Sequence, residues 1–167
     1  MLVREKYKYE GQANIEHDDW AKYFSLSTIG EEYEVLYNTE DGMLIMSDTE
    51  YEAITNQEFF ENVKKGDKIL SIGYGIGFIN DRVIEEGADL TVIEKYPDVV
   101  LLDENVNPNV HILYGDVNRF PFKQVFGDEK FDIVYFDSYE ETNDPNVIEE
   151  LKKLLKPKGK YIRWKHL

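Results

Sequence analysis

The chain has 167 residues, with 19 Lys+Arg against 34 Asp+Glu, a net charge of −15 and no cysteine. That length suits one domain with a real core, and a 42% hydrophobic share opposes wholesale disorder. So negative a balance opposes binding to nucleic acid or an anionic membrane, and no apolar run approaches the roughly 18 residues of a spanning helix. Met1 to Tyr9 lacks the apolar stretch of a signal peptide, so a cytoplasmic setting is expected. Without Cys there are no disulfides, thiolate metal sites or cysteine nucleophiles.

Residues 1–30 mix aromatics and acids without a clean period and read as an arm. Tyr33–Tyr37 and Met43–Met46 flank Asn38-Thr39-Glu40-Asp41-Gly42, which predicts a β-hairpin. Ser47 or Asp48 then caps a helix running to about Lys65, stopped by Gly66. From there the rhythm changes to alternating strands and helices. Strands are predicted at Lys68–Ile72, Leu90–Ile93, Val110–Leu113, Phe131–Phe136 and Tyr161–Trp164. Helices are predicted near Phe78–Glu86 and Asp98–Glu104, with a last one after Asp144-Pro145 carrying Val147, Ile148, Leu151, Leu154 and Leu155 on one face. Strands apolar on both faces, alternating with helices, mean an α/β fold with a parallel, doubly wound sheet. The expected organisation is a covering segment, 1–65, and a core, 66–167, in one compact unit.

Charge is uneven along the chain. Leu151 to Leu167 holds seven basic residues and no acid, leaving about −22 on the first 150 residues. Those cations read either as helix-end chemistry or as a docking surface for the acidic face of another copy. His17, His111 and His166 do not form a metal-ligand spacing, so no metal is expected.

In a doubly wound sheet, ligands bind beyond the carboxyl ends of the strands near the switch point. Those ends carry Gly73-Tyr74-Gly75-Ile76-Gly77, then Glu94, Asp116 and Asp137. The glycines suit either a tight turn or a close approach of backbone to a ligand. Glu94 reads as a ribose-binding acid or a solvated loop acid, and Asp116 as an adenine contact or a turn residue. An acid directly after the apolar run Phe131–Phe136 points to function at Asp137.

Together these residues resemble the class I S-adenosylmethionine-dependent methyltransferases. Lys68-Ile-Leu-Ser-Ile-Gly-Tyr-Gly-Ile-Gly77 is similar to the glycine motif of the guanidinoacetate and arginine δ-N-methyltransferase type. Val92-Ile-Glu-Lys-Tyr-Pro-Asp-Val99, Phe131-Asp-Ile-Val-Tyr-Phe-Asp-Ser-Tyr-Glu140 and, more loosely, Gly42-Met-Leu-Ile-Met-Ser-Asp-Thr-Glu50 resemble further blocks of the same group. The resemblance spans about residues 35 to 164. It implies a Rossmann-like sheet, S-adenosylmethionine as cofactor with S-adenosylhomocysteine as product, and a small guanidino or amine acceptor. It places Ser71, Gly73, Tyr74, Gly75, Gly77, Glu94 and Asp116 at the cofactor. Asp137 and Glu50 would grip the acceptor as catalytic carboxylates, with Ser138 and Tyr139 beside it. Ser71 departs from the acid or amide of that motif, and Thr49 stands where the group has Trp. The group's last strands have no counterpart after the fifth, which leaves an open edge and suggests a homodimer or higher homo-oligomer. Aminopropyl transfer, cleavage of the sulfonium, or a non-catalytic binding module are the alternatives.

Overall fold

In the computed structural model, which describes residues 1–137 and 144–165, the chain opens with a strand, β1 (Leu2–Lys8). A short helix, α1 (Trp20–Tyr23), leads to β2 (Glu32–Asn38) and β3 (Leu44–Ser47). These strands form an antiparallel sheet in the order β1-β2-β3. The expected hairpin is present; the first strand is the surprise. Its charges hide the strand alternation, and pairing resolves them, since Lys6 lies opposite Glu34 and Lys8 opposite Glu32. One face of this sheet is closed by an aromatic cluster of Tyr9, Trp20, Tyr23, Phe24 and Tyr33.

The expected single helix up to Lys65 is two, α2 (Glu50–Thr55) and α3 (Gln57–Asn62). Thr49, rather than Ser47 or Asp48, caps α2 by accepting from the Glu52 N–H. Asn56 breaks the run because its side-chain amide donates to the Glu52 carbonyl at 2.7 Å and competes with the helix for it.

The second sheet follows from β4 (Lys68–Ile72), α4 (Phe78–Glu85), β5 (Asp89–Glu94), α5 (Pro97–Leu101) and β6 (His111–Tyr114). It is completed by α6 (Phe122–Phe126), β7 (Phe131–Phe136), α7 (Pro145–Lys152) and β8 (Leu155–Arg163). All five strands are parallel in the order β6-β5-β4-β7-β8. The chain winds outward from β4 to β6 and returns to β7 on the other side of β4, so the switch point lies between β4 and β7. Ile69, Leu90, Val92 and Ile133 pack one face, and Leu70, Ile93, Val134 and Leu151 the other. Burial on both faces is why these strands read as continuous apolar runs.

The last strand begins six residues earlier than the sequence suggests. Its register against β7 slips between the pairs Phe131–Leu155 and Ile133–Lys160, so Lys156-Pro157-Lys158-Gly159 forms an irregular entry to the strand.

Candidate functional site

Four strand ends of the parallel sheet are fixed by one further step of its hydrogen-bond ladder. Gly73 N–H donates to Ile93 O at 2.9 Å, Gly115 N–H to Glu94 O at 2.9 Å, Asp137 N–H to Ile72 O at 3.0 Å and Trp164 N–H to Phe136 O at 3.0 Å. The rim is therefore built on rigid main chain, and the carboxylates that follow inherit that rigidity. A cavity of about 920 Å³ opens on it, lined from this side by Gly73, Gly75, Glu94, Asp116, Asp137 and Trp164. Leu2, Lys22, Tyr23 and Leu44–Met46 from the N-terminal segments close it from the other.

The glycine turn takes left-handed backbone at Gly73, Gly75 and Gly77, with φ of 103°, 61° and 85°. Gly75 is the position where sterics decide. A Cβ there would stand 2.0 Å from Met46 Sδ, so the turn has room for the strand above it only as glycine.

Glu94 is buried, and its two oxygens accept the Tyr74 and Tyr96 N–H groups at 2.8 Å each. These two bonds fix the carboxylate on the loop, and Glu94 also lines the cavity. Asp116 Oδ1 caps a turn through the Asn118 N–H at 2.9 Å while the residue also lines the cavity. Asp116 is thus a turn residue that also stands at the cavity.

Three expected cofactor positions lie off the cavity. Ser71 is buried within the sheet, between Val92 and Tyr135, and does not line this cavity. The Tyr74 phenol turns away to Asp103 Oδ2 at 2.5 Å, and burial pushes its pKa up. Gly77 starts α4 with its Cα facing Asp103 and Tyr74. These residues shape the turn without lining the cavity. Ser138 and Tyr139 lie outside the described residues.

At the far end of the cavity two carboxylates meet, and one of them is not the expected one. Asp137 lines the cavity, and burial pushes its carboxyl up to about 7. Its companion is Glu52, buried and pushed up to about 8 by burial first and by the Asp137 charge second. Hydrogen bonds from Thr55 and Asn56 and the charge of Lys22 work in the opposite direction. Glu50 instead sits outside the cavity, accepting from the Tyr33 hydroxyl at 2.9 Å and the Ser27 hydroxyl at 3.3 Å. The reason is helix geometry, since two positions along a helix differ by about 200° and cannot share a face. A signal for Glu52 was present in the sequence. It falls on the buried side of the α2–α3 stretch with Asn56, Phe59, Phe60 and Val63, and an acid on such a face needs a reason.

Trp164, Met46 and Lys22 also line the cavity without having been singled out. Among the described residues, no group of three or more His, Asp or Glu could hold a metal ion.

Residues 70–163, more than half of the chain, match the family model described as a methyltransferase domain. The chain belongs to that family. It is an S-adenosylmethionine-dependent methyltransferase domain. It is 29% identical over 131 residues to the uncharacterized protein MJ1233 of Methanocaldococcus jannaschii, covering 68% of this chain and 43% of that one. It is 28% identical over 72 residues to the ribosomal RNA small subunit methyltransferase A of Chlorobaculum parvum, covering 43% of this chain and 26% of that one. The chain thus spans less than half the length of either curated relative. A solved TehB-like SAM-dependent methyltransferase from Corynebacterium glutamicum shares the fold, with a TM-score of 0.52, 16% identity and coverage of 65% and 60% of the two chains. The methyltransferase domain's cofactor fits the residues present: the glycine turn frees main chain at the rim, and buried Glu94 and capping Asp116 offer acceptors in the same cavity.

Proposed function

We propose that this chain methylates a nitrogen of a small guanidino or amine metabolite, held as a cation by Glu52 and Asp137 at the end of the cofactor cavity. The observation that carries this reading is the pair itself, buried Glu52 and half-buried Asp137 lining one cavity, because two acids so placed are costly to ionise unless a cation joins them. A guanidinium or ammonium would satisfy both acids by charge-assisted hydrogen bonds and draw their pKa values down.

When bound, S-adenosylmethionine supplies an electrophilic methyl group on a positively charged sulfur. Around it, Gly73 and Gly75 are placed along the methionine part, Glu94 at the ribose and Asp116 near the adenine. Asp137 and Glu52 orient one acceptor nitrogen toward the methyl carbon. The nitrogen must lose a proton to become a nucleophile, and the Asp137 carboxylate, in reach of it in the cavity, would take it. The chain's own part is to hold that nitrogen in line with the methyl group and to keep on the Asp137 carboxylate the proton the nitrogen gives up. Segments 1–65 act as the cover that keeps water from this step, over the 66–167 core.

The ribosomal RNA methyltransferase relatives raise a polynucleotide acceptor as the other substrate class. The net charge of −15 and the acidic end of the cavity favour the small cation. No helix among the described residues is long and apolar enough to cross a membrane, and a cytoplasmic setting is part of the proposal. So is a homodimer using the β8 edge, which light scattering at high micromolar concentration tests; a monomer removes it.

The functional test is product analysis by mass spectrometry. The protein is incubated with S-adenosylmethionine, guanidinoacetate, arginine and a polyamine mixture. S-adenosylhomocysteine with a one-methyl gain on one acceptor is expected. Methylthioadenosine would replace this reading with aminopropyl transfer or sulfonium cleavage, and unchanged cofactor would replace it with a binding module.

A further inference from the structure

The acid end of the cavity has a third wall, and it is aromatic. Trp164 follows Arg163, which pairs with Phe136 at the end of β7, so Trp164 and Asp137 hold the next register positions at the two adjacent strand ends. Its main-chain N–H is held by Phe136 O, and its indole N–H donates to Thr55 Oγ1 at 3.1 Å. That hydroxyl in turn donates to the Glu52 carbonyl at 3.0 Å and reaches its carboxylate at 3.5 Å. The ring is thus fixed at two points, one on each carboxylate-bearing element, and it lines the same cavity as Glu52 and Asp137.

Resting on the acceptor site proposed above, we infer that Trp164 is its specificity-determining residue, selecting cations whose charge is spread over a flat or N-alkylated group over compact primary ammonium ions. The chemistry is as follows. Two carboxylates supply acceptors enough for the N–H donors of either kind of cation. The indole, whose one N–H donor goes to Thr55, adds no acceptor and puts a π face where water would stand, which a compact, strongly hydrated ammonium meets at greater cost than a weakly hydrated guanidinium. A guanidinium or an alkylated ammonium gives its one or two N–H donors to the acids and lays its remaining charged surface on the ring by cation–π attraction. Indole is the strongest of the aromatic side chains in that contact.

The test needs no knowledge of the natural acceptor, because the chain has only two tryptophans. Trp20 lies in the N-terminal aromatic cluster, so Trp20→Phe leaves Trp164 as the sole indole reporter. In this variant, saturated with S-adenosylhomocysteine, millimolar tetramethylammonium and methylguanidinium should shift Trp164 emission saturably. Methylammonium should need roughly tenfold more, and neutral tert-butanol should do nothing saturable. A response equal for all four probes, or none to the two favoured cations, overturns the inference.

A kinetic arm separates it from the underlying reading. With whichever cationic acceptor the wild type methylates, Trp164→Leu should raise its KM roughly 5- to 30-fold with kcat and cofactor affinity within about twofold, and Trp164→Phe should restore most of the loss. Methylation of a cation with a KM indifferent to Trp164→Leu sinks this inference alone. Absence of any methylated cation, with Asp137→Asn indistinguishable from wild type in every assay, sinks the acceptor site and this inference with it.

Discussion

The two sheets of this molecule solve the same problem by different means. The five-stranded parallel sheet is aliphatic on both faces, with Ile69, Leu70, Val92, Ile93 and Val134 shielded by helices. The three-stranded antiparallel sheet is held by rings, Tyr7 against Phe24 at 5.1 Å and Trp20 against Tyr37 at 5.2 Å, both edge-to-face. The first sheet presents its strand ends to the cofactor. The second lies over them and, with α2 beside it, supplies Glu52, the buried member of the acid pair. The family match begins at residue 70, so it covers the half that binds what all its members bind. The proposed acceptor site draws on residues from both sides of that line, Glu52 before it and Asp137 after.

Substitutions can break this division. The largest effect is expected at Asp137→Asn, which keeps the shape but removes the charge and the base. Turnover should fall by about 10²–10⁴-fold while the cofactor dissociation constant stays within a few-fold, measured by steady-state kinetics and calorimetric titration. Loss of cofactor binding instead would place Asp137 in the cofactor half. Next, Glu94→Ala removes the ligand diol contact and the partner of the Tyr74 and Tyr96 N–H groups together. Cofactor affinity should drop by roughly 10- to 100-fold, with a smaller change in the turnover that remains at saturation.

Glu52→Gln reads the acid pair through stability. Glu52 is raised from its ordinary range to about 8 in the folded state, so the native protein holds the proton more tightly than the unfolded chain. Its contribution is fully present below pH 4 to 5 and is lost as pH rises through about 8. The wild type should therefore lose melting temperature between pH 5 and 9, and Glu52→Gln should lose less of it, by a few degrees in a thermal scan. Equal slopes would mean that the pair is not strained without a cation. The smallest effect is expected for Glu50→Gln, whose half-exposed contacts to Tyr33 and Ser27 should be worth roughly 0.5 kcal/mol or less, with kcat unchanged. A large kinetic loss there, with Glu52→Gln silent, would reverse the assignment of the two acids.

Sequence alone carried the parallel half well, because burial on both faces writes each strand as an unbroken apolar run ended by glycine or acid. Gly73, Gly75, Glu94, Asp116 and Asp137 reach one cavity as their places at strand ends suggest. It carried the cover poorly. The charges of β1 make sense only when paired with β2, a contact between residues about thirty positions apart. Glu50 was expected from the loose resemblance of the Gly42–Glu50 block alone, whereas the fold turns Glu52, two positions on and about 200° around the helix, into the cavity. Trp164 was invisible for another reason: its partners are Thr55 and the end of β7, joined only by the fold.

The contact between Met46 and Gly75 bears on how this protein can be taken apart. The sulfur occupies the space that a side chain would fill, so part of the turn's own volume is contributed by a residue from the other sheet. A fragment of residues 66–167 alone would keep every strand of the parallel sheet yet expose that turn as a notch. It is expected to bind S-adenosylhomocysteine far more weakly than the whole chain. The cover is therefore not a detachable accessory that could be exchanged to install a new acceptor on an unchanged cofactor site. Any graft would have to carry its own residue to seat against Gly75.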